Sequence, residues 1–334
     1  LYGRSALPAM IYVGTGWSLR FVAAHSTGTN IALTLSVGWR QRLIARGTAV
    51  VRKEHRMHMR TRRDFLRAAG AFGATAIAAS VLPRAAWANP MGLLIGIQLY
   101  TVRGVIGANP AATLKQLYDI GYREVETAGT GKATAAEFGK MIKDAGLKCP
   151  SAHLPLNSDL GKAFAQAHAL GATYATSSAL FVSPKMPTGP MGLERFKKLA
   201  VEMNSIGKQA KAAGLRYAYH NHNPEFEKMP DGSYGYDVLL KETDPETVFF
   251  EIDCGWMTVA GASPAQYMKR YPTRFKMLHI KDFKPSTQPT MSRGAGRPTG
   301  IELGAGFIDY KPIFAQGRKI GSEHVFAEQE GPYT

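Results

Sequence analysis

The stretch that decides the fold is residues 247–282, TVFFEIDCGWMTVAGASPAQYMKRYPTRFKMLHIKD. Residues 247–253 and 275–280 are apolar, β-rich runs, and they predict two buried strands. A helix is predicted between them, over residues 264–270. The first strand ends on Asp253 and the second almost ends on His279, and both side chains can bind metals. A strand, a helix and a second strand in this order form the repeating unit of a parallel sheet.

The same alternation covers the chain from residue 93 onward. Glycine stands before five of the predicted strands, where it ends the preceding helix. Eight strands alternating with helices predict an α/β fold, a (β/α)₈ TIM barrel. The alternative is a doubly wound open sheet, but no glycine-rich phosphate loop follows the first strand. The predicted strands are residues 93–100, 122–127, 148–153, 172–178, 215–222, 247–253, 275–280 and 323–328; the other predicted helices are 110–120, 134–145, 159–170, 193–213, 236–242 and 310–319.

The C-terminal end of the sequence is short for such a barrel. The sequence stops at Thr334, six residues after Glu328, which leaves no room for an eighth outer helix. We therefore expect a barrel that lacks its last outer helix, either because the sequence is a fragment or because a partner covers that face.

Composition limits the class of protein. Hydrophobic residues make up 45% of the 334 residues, enough for a large core. The net charge is +16, but residues 1–88 hold 13 Lys and Arg against 2 Asp and Glu. The remainder carries 28 basic against 23 acidic residues, so a nucleic-acid partner is not indicated. The sequence leaves a homo-oligomer open.

The two cysteines do not predict a disulfide. Cys149 and Cys254 lie on predicted strands three apart in order, a separation that seldom brings barrel side chains into bonding range. We expect both thiols to be free.

Residues 59–88 have the features of a targeting segment. Residues 60–66 (RTRRDFL) contain paired arginines, residues 68–82 are alanine-rich and apolar, and residues 86–88 (AWA) have the small-x-small pattern of a cleavage site. The segment resembles a twin-arginine (Tat) export signal cleaved after Ala88, which implies a periplasmic or secreted protein. The apolar run is about 15 residues long, shorter than the ~20 that a membrane span needs. An uncleaved N-terminal anchor is the alternative.

Residues 1–58 precede this signal, although a Tat signal belongs at an N-terminus. Met57 and Met59 lie just before the arginines, and the sequence begins at Leu1. We expect residues 1–58 to be an untranslated or disordered upstream extension, with a genuine extra domain as the alternative. The barrel is then residues 89–334.

Four metal-binding side chains lie at the ends of four successive predicted strands: His220, Asp253, His279 and Glu328. In a parallel barrel the C-terminal ends of all strands face the same way, so these side chains converge on one mouth. Any one of them alone has an ordinary structural explanation, such as a helix N-cap for Asp253 or solvation for Glu328. Together they predict a metal site.

Five motifs resemble the sugar phosphate isomerase/epimerase family, the xylose isomerase-like TIM barrel group that also contains inosose dehydratase and endonuclease IV. They are residues 96–103 (GIQLYTVR), 219–223 (YHNHN), 251–253 (EID), 278–282 (LHIKD) and 328–330 (EQE). The resemblance implies one divalent metal held by His220, Asp253, His279 and Glu328. Ketose epimerases of the family have glutamate where His220 stands, and His222 is an alternative ligand. Two imidazoles and two carboxylates favour Mn²⁺, Zn²⁺, Co²⁺ or Fe²⁺ over Mg²⁺.

Other predicted strand ends supply the remaining candidates. The candidate catalytic groups are Glu328 as a base, His153 as an acid or base, and Lys281 as a cation that stabilises an enolate oxygen. A surface position at the rim is the alternative for Lys281. The candidate substrate-binding residues are Gln98, Glu126, Asn221, His222, Trp256 and Asp282.

The resemblance implies removal of a proton beside a sugar carbonyl, with the resulting enediolate stabilised by the metal. Return of the proton to the other face gives epimerisation, and its return to the neighbouring carbon gives isomerisation. Loss of a β-substituent gives dehydration. Because His220 replaces one of the paired glutamates of the epimerases, we favour an isomerase or a dehydratase/lyase acting on a sugar, inositol or keto-glycoside. The alternatives are a non-catalytic periplasmic sugar-binding or accessory protein and, less favoured, an endonuclease IV-like repair enzyme.

Overall fold

The computed structural model describes residues 12–13, 17–21, 35–39, 90–156, 159–178, 192–285, 289–291 and 296–330. The chain divides into two compact units, residues 1–71 and 72–334. In the first unit, strands Tyr12–Val13, Trp17–Phe21 and Leu35–Trp39 pair antiparallel. These strands lie in the segment for which we expected no stable structure. The predicted Tat signal, residues 59–88, lies outside the described residues, and its export function stays a prediction.

Eight parallel strands of the second unit close into a barrel, and each pairs with its neighbours in chain order. The last strand pairs with the first through Val325 and Ile95, which excludes the open sheet. The predicted (β/α)₈ fold is therefore confirmed. The strands are β1 Ile95–Gln98, β2 Glu124–Thr127, β3 Lys148–His153, β4 Tyr174–Ser178, β5 Arg216–His220, β6 Val248–Asp253, β7 Phe275–Ile280 and β8 His324–Ala327.

Helices surround the barrel and start where local capping predicts. Thr134 forms a capping box with Glu137 at the start of one helix. Gly171 and Gly321 end two others in the left-handed conformation, with φ of 79° and 71°. The main helices are α1 Pro110–Ile120, α2 Ala135–Asp144, α3 Leu160–Leu170, α4 Leu193–Ala212, α5 Gly235–Glu242, α6 Cys254–Val259, α7 Pro264–Arg270 and α8 Tyr310–Ile320.

Two elements at the mouth of the barrel are absent from the predicted strands and helices, although a helix N-cap was the alternative role given to Asp253, and the structure confirms it. Helix α6 follows β6 without a loop, because the Asp253 side chain accepts a hydrogen bond from the Trp256 backbone N–H and caps the helix. A short antiparallel ribbon joins Asp282–Phe283 to Gly300–Ile301 beyond β7. Both elements depend on contacts at the strand ends, which the strand and helix periodicities do not report.

The interior of the barrel is packed. Tyr174, Ala218, Met277 and Phe326 form a buried cluster inside it, and Phe249 packs against them. Gly96 leaves room for this layer, because a Cβ at that position would lie 2.5 Å from Phe326 Cδ1. Access to the strands' C-terminal ends is therefore from the mouth alone, where TIM barrels carry their chemistry.

Three further expectations concern the cysteines, the helices that follow the strands and a membrane span. Cys149 and Cys254 are both free, as predicted, and both are buried. Every strand from β1 to β7 is followed by a helix, and residues 328–330, the last described, are not helical. Among the described residues, no helix is both long and apolar enough to span a bilayer.

Candidate active site

Three histidines and a glutamate meet inside the mouth, and we call them the inner cluster: His153, His220, Glu251 and His279. Each offers a donor atom, and these atoms all lie within 4.8 Å of one another. Glu251 Oε2 is at their centre, 3.0 Å from His153 Nε2, 2.9 Å from His220 Nδ1 and 3.3 Å from His279 Nε2. This donor set fits a transition-metal dication.

The second group, the outer cluster, consists of Asp253, His279 and Glu328, whose donor atoms also lie within 4.8 Å of one another. Lys281 contacts two of its members: the ammonium is 2.8 Å from Asp253 Oδ2 and 2.6 Å from Glu328 Oε2. The two clusters share His279, and His220 Nε2 lies 3.6 Å from Asp253 Oδ2. All four predicted ligands are thus brought together, but the structure divides them between two groups.

Glu126 links two histidines of the inner cluster. Its Oε2 lies 2.6 Å from His279 Nε2 and 3.2 Å from His153 Nε2. Burial alone would raise the pKa of Glu126, but the charges of His153 and His279 lower it well below its ordinary value. Gln98 Nε2 donates to the same carboxylate at 2.7 Å, and so does the Ser151 hydroxyl. Glu126 is therefore held as an anion next to the inner cluster.

The inner cluster contains groups with opposing pKa shifts. Burial and then the nearby Glu126 carboxylate raise the pKa of Glu251 to about 7. Burial would lower the pKa of His153, but Glu126 and Glu251 raise it to about 10. Burial and the neighbouring His279 lower the pKa of His220 well below its ordinary value. Such shifts in a buried cleft are typical of functional sites.

Lys281 is buried and stays an ammonium. Burial would lower its pKa, but Asp253, Glu328 and Glu330 raise it well above its ordinary value. Its side chain points into the mouth, and only 2% of its surface is exposed. The alternative of a surface lysine at the rim is therefore excluded. Its charge can stabilise an anion, and the raised pKa makes it a poor base.

Glu330 was quoted in a motif but given no role. Its Oε1 accepts hydrogen bonds from Lys281 Nζ at 2.7 Å and from the Trp256 indole N–H at 3.0 Å. It therefore connects the chain after β8 to helix α6 and fixes the direction of Lys281. Trp256 packs against Phe283, with ring centroids 5.2 Å apart. Only 2% of the Trp256 surface is exposed, so most of this side chain lies in packing contacts.

The side chains of two predicted substrate-binding residues accept hydrogen bonds from the backbone. Asn221 accepts from the Asp253 N–H at 3.0 Å and so joins the ends of β5 and β6. Asp282 accepts from the N–H groups of Gly304 and Gly306, each at 3.0 Å, and it holds the loop before α8. These contacts give both side chains positioning roles; contact with substrate stays a prediction.

His222 lies beside the inner cluster but is not a member of either group. Its ring is 4.8 Å from the His220 ring and 6.1 Å from the Trp256 ring, measured between centroids. Its backbone N–H donates to Glu225 at 3.1 Å. This position favours His220 over His222 as a ligand.

Glu251, like Glu330, is a residue to which the sequence analysis gave no role. It lies two residues before Asp253 on β6, and side chains two apart on a strand face the same side. Since Asp253 was predicted to point into the barrel, the same alternation could have identified Glu251.

Known proteins of one family match this architecture. The sequence model of the xylose isomerase-like TIM barrel family matches residues 114–332. The chain belongs to this family. Inosose dehydratase of Clostridium tetani is 29% identical over 147 residues, which are 41% of this chain and 48% of that protein. Inosose dehydratase of Lacticaseibacillus casei is 29% identical over 150 residues, with the same coverage. The match therefore spans about half the length of these relatives.

Several solved structures have the same barrel. A sugar phosphate isomerase/epimerase from Parabacteroides distasonis is 26% identical, with a TM-score of 0.61, over 73% of this chain and 88% of that chain. The IolI protein with a bound zinc atom is 13% identical, with a TM-score of 0.57, over 72% and 90%. An L-ribulose 3-epimerase is 17% identical, with a TM-score of 0.53, over 72% and 82%. At these lower identities the last two comparisons establish the fold alone.

Proposed function

We propose that the protein is a divalent-metal-dependent enzyme that removes a proton beside a carbonyl group of a sugar, inositol or keto-glycoside. The observation that carries the proposal is the convergence of imidazoles and carboxylates on His279 inside the barrel mouth. The inosose dehydratase relatives and the similarity to a sugar phosphate isomerase/epimerase support a carbohydrate substrate. We favour isomerisation or dehydration over epimerisation, because one of the paired glutamates of the epimerases is His220 here.

The donor set fits the metal that the proposal requires. Glu251 is fully buried, and its Oε1 has no hydrogen-bond partner among the described residues. A buried carboxylate oxygen in that state is costly unless a cation binds it. Imidazole and carboxylate donors favour Zn²⁺, Mn²⁺, Fe²⁺ or Co²⁺ over Mg²⁺, and the bound zinc of the IolI protein is in line with this choice. Donors from the two clusters that share His279 would hold the metal.

The chemistry divides among the chain's own residues. A bound dication supplies Lewis-acid polarisation of the substrate carbonyl. Glu328 is the carboxylate that accepts the proton from carbon: burial would raise its pKa, but Lys281 and His279 lower it well below its ordinary value, which keeps it ionised and also makes it a weak base. Lys281 balances the negative charge that develops on the substrate oxygen. In dehydration, His153, protonated near neutral pH, gives its proton to the leaving hydroxyl, which departs as water. In isomerisation it gives the proton to the neighbouring carbon, while the hydroxyl proton passes to the former carbonyl oxygen.

The experiment that tests the function uses the full chain in D₂O. Metal content is measured by elemental analysis, and deuterium incorporation into a panel of ketoses and inososes is followed by NMR. We expect metal-dependent exchange that chelator treatment abolishes and that His279→Ala lacks. A metal-loaded protein that exchanges deuterium into none of the panel would favour a sugar-binding protein. A protein that stays free of metal after reconstitution would refute the proposal.

We also propose export through the twin-arginine pathway. Phosphorylated sugars are scarce outside the cytoplasm, so export favours an unphosphorylated substrate. The paired arginines, Arg62 and Arg63, and the AWA pattern that ends at Ala88 carry this proposal. Mass spectrometry of the protein from a bacterial periplasm should find a mature chain that starts at Asn89. Replacing both arginines with lysine should leave the precursor uncleaved, and an unchanged mature form would contradict the proposal.

A further inference from the structure

The backbone of Lys281 lies where the chain leaves the barrel. The residue stands between the end of β7 at Ile280 and the ribbon strand Asp282–Phe283. It is buried, and within the described part of the chain its N–H and C=O are hydrogen-bonded to no other backbone group. Because buried backbone groups without a partner are costly, a side chain has to satisfy both of them.

The hydroxyl group of Tyr310 satisfies both. It accepts a hydrogen bond from the Lys281 N–H at 3.0 Å and donates one to the Lys281 carbonyl at 2.6 Å. Burial raises the pKa of Tyr310 well above its ordinary value, so the hydroxyl keeps the proton that it donates. One side chain therefore fixes the backbone of the residue that carries the buried ammonium.

The position of Tyr310 is fixed in turn by the start of helix α8. Tyr310 is the first residue of this helix, and the Asp309 side chain caps it by accepting from the Lys311 N–H at 3.1 Å. Phe314, one turn further on, stacks on the Tyr310 ring with the centroids 5.2 Å apart and the planes at 27°. The hydroxyl is thus held by an element outside the barrel strands.

The two ends of the Lys281 residue are held by different parts of the chain. The ammonium lies 2.8 Å from Asp253 Oδ2 and 2.6 Å from Glu328 Oε2, and Tyr310 holds the backbone. A lysine stem has many rotamers, so carboxylates alone do not fix where the charge lies relative to a substrate. A charge stabilises a developing anion best when it is already in place before the reaction. The backbone contact supplies that part of the positioning.

We propose that Tyr310 is a positioning residue for Lys281 and that it acts on the reaction through the backbone of that lysine. The inference rests on the proposed function, in which Lys281 balances the charge that develops on the substrate oxygen. An interaction made only in the transition state lowers kcat without raising KM when it is lost. None of the described hydrogen bonds of the Tyr310 hydroxyl goes to a candidate metal ligand, so metal content should not change without it.

The test is Tyr310→Phe in the metal-loaded full chain, with Tyr217→Phe as the matched control. Tyr217 also has a buried hydroxyl, which is hydrogen-bonded to Ser177 at 2.9 Å. Its neighbour Ala218 belongs to the cluster inside the barrel, so Tyr217 faces the helices. We expect Tyr310→Phe to lower kcat for deuterium exchange by about 10- to 100-fold and to leave KM within about twofold. Tyr217→Phe should change neither by more than about twofold.

A second measurement follows the contact itself and needs no substrate. Hydrogen exchange of the Lys281 amide is measured by mass spectrometry on fragments that resolve this residue. The amide should exchange at least about tenfold faster in Tyr310→Phe, because its acceptor is gone, and at the wild-type rate in Tyr217→Phe. Circular dichroism and elemental analysis check that both variants are folded and carry the metal.

The outcomes separate the positioning role from the proposed function. A wild-type kcat in Tyr310→Phe would overturn the positioning role. A lower kcat with an equally protected Lys281 amide would overturn it as well, because the effect would not pass through that backbone. A wild-type protein that exchanges deuterium into no sugar of the panel would overturn the proposed function instead, and the amide measurement would still decide whether Tyr310 holds Lys281.

Discussion

Gly255 provides the space that the Lys281 side chain occupies. A Cβ at position 255 would lie 2.3 Å from Lys281 Cγ and 3.0 Å from Phe283 Cε2. Neither neighbour can move freely, because Lys281 is tied to three carboxylates and Phe283 is buried. A glycine two residues after a candidate ligand, Asp253, therefore controls the position of a buried ammonium.

Gly255→Ala should displace Lys281. We expect the free energy of unfolding to fall by about 1–3 kcal/mol, the usual cost of overpacking a core. Deuterium exchange into the substrate should slow by about 100-fold, because a shift of about 1 Å at a charged group costs that much. Gly107→Ala is the control, since nothing lies within 4 Å of a Cβ there. Equal stability and equal exchange rates in the two variants would show that Lys281 has room to move.

Lys281→Met should destabilise the metal-free protein. The substitution leaves the buried carboxylates Asp253 and Glu328 without their cation, and breaking a buried ion pair costs about 3–5 kcal/mol. Urea unfolding measures the loss. Lys284 is exposed, and Lys284→Met should change stability by less than about 0.5 kcal/mol. A Lys281→Met protein as stable as the control would mean that solvent reaches these carboxylates.

The barrel could be predicted because its signal is repeated. Each strand, such as β6, is a short apolar run between helices, and glycines such as Gly171 and Gly321 stand where helices end. The eight barrel strands themselves differ from the prediction at their ends: residues 215–222 were predicted as one strand, but β5 ends at His220. The hydrophobic pattern indicates which residues are buried, but it does not show where the pairing of the strands ends. Asn221 and Asn223 are buried although they lie beyond the end of β5.

The site could be located but not resolved from the sequence. The mouth position of His220, Asp253, His279 and Glu328 follows from strand order alone. Which donors approach one another depends on the tilt of the barrel and on the layer in which each side chain lies, as with Glu251 below Asp253. The backbone contacts of Asp282 join segments 22 and 24 residues apart, and no local pattern predicts them.

His220→Ala and His222→Ala should differ in metal binding. His220 Nδ1 lies 2.9 Å from Glu251 Oε2, whereas His222 belongs to neither donor group. We expect His220→Ala to weaken Co²⁺ binding by at least about tenfold and His222→Ala to leave it within about threefold. Isothermal titration of the full chain measures both. Retention in His220→Ala together with loss in His222→Ala would reverse the ligand assignment.

Stability should depend on pH through Glu323 at the opposite end of the barrel. Glu323 accepts from Arg216 at 2.6 Å and from the Tyr174 hydroxyl at 2.9 Å. Partial burial would raise its pKa, but these two hydrogen bonds lower it below the ordinary value. Because the folded-state pKa is depressed, the carboxylate stabilises the fold above the unfolded pKa of about 4.3, and this contribution is lost as the pH falls through the folded value.

Glu323→Gln imitates the protonated side chain, so it should be less stable than the wild type at pH 7, and the difference should shrink below about pH 4. Urea unfolding at both pH values measures it. The exposed Glu246→Gln should show a small difference that varies little with pH. A Glu323→Gln difference that stays constant down to pH 3 would mean that lost packing against Tyr174, and not the carboxylate charge, accounts for the effect.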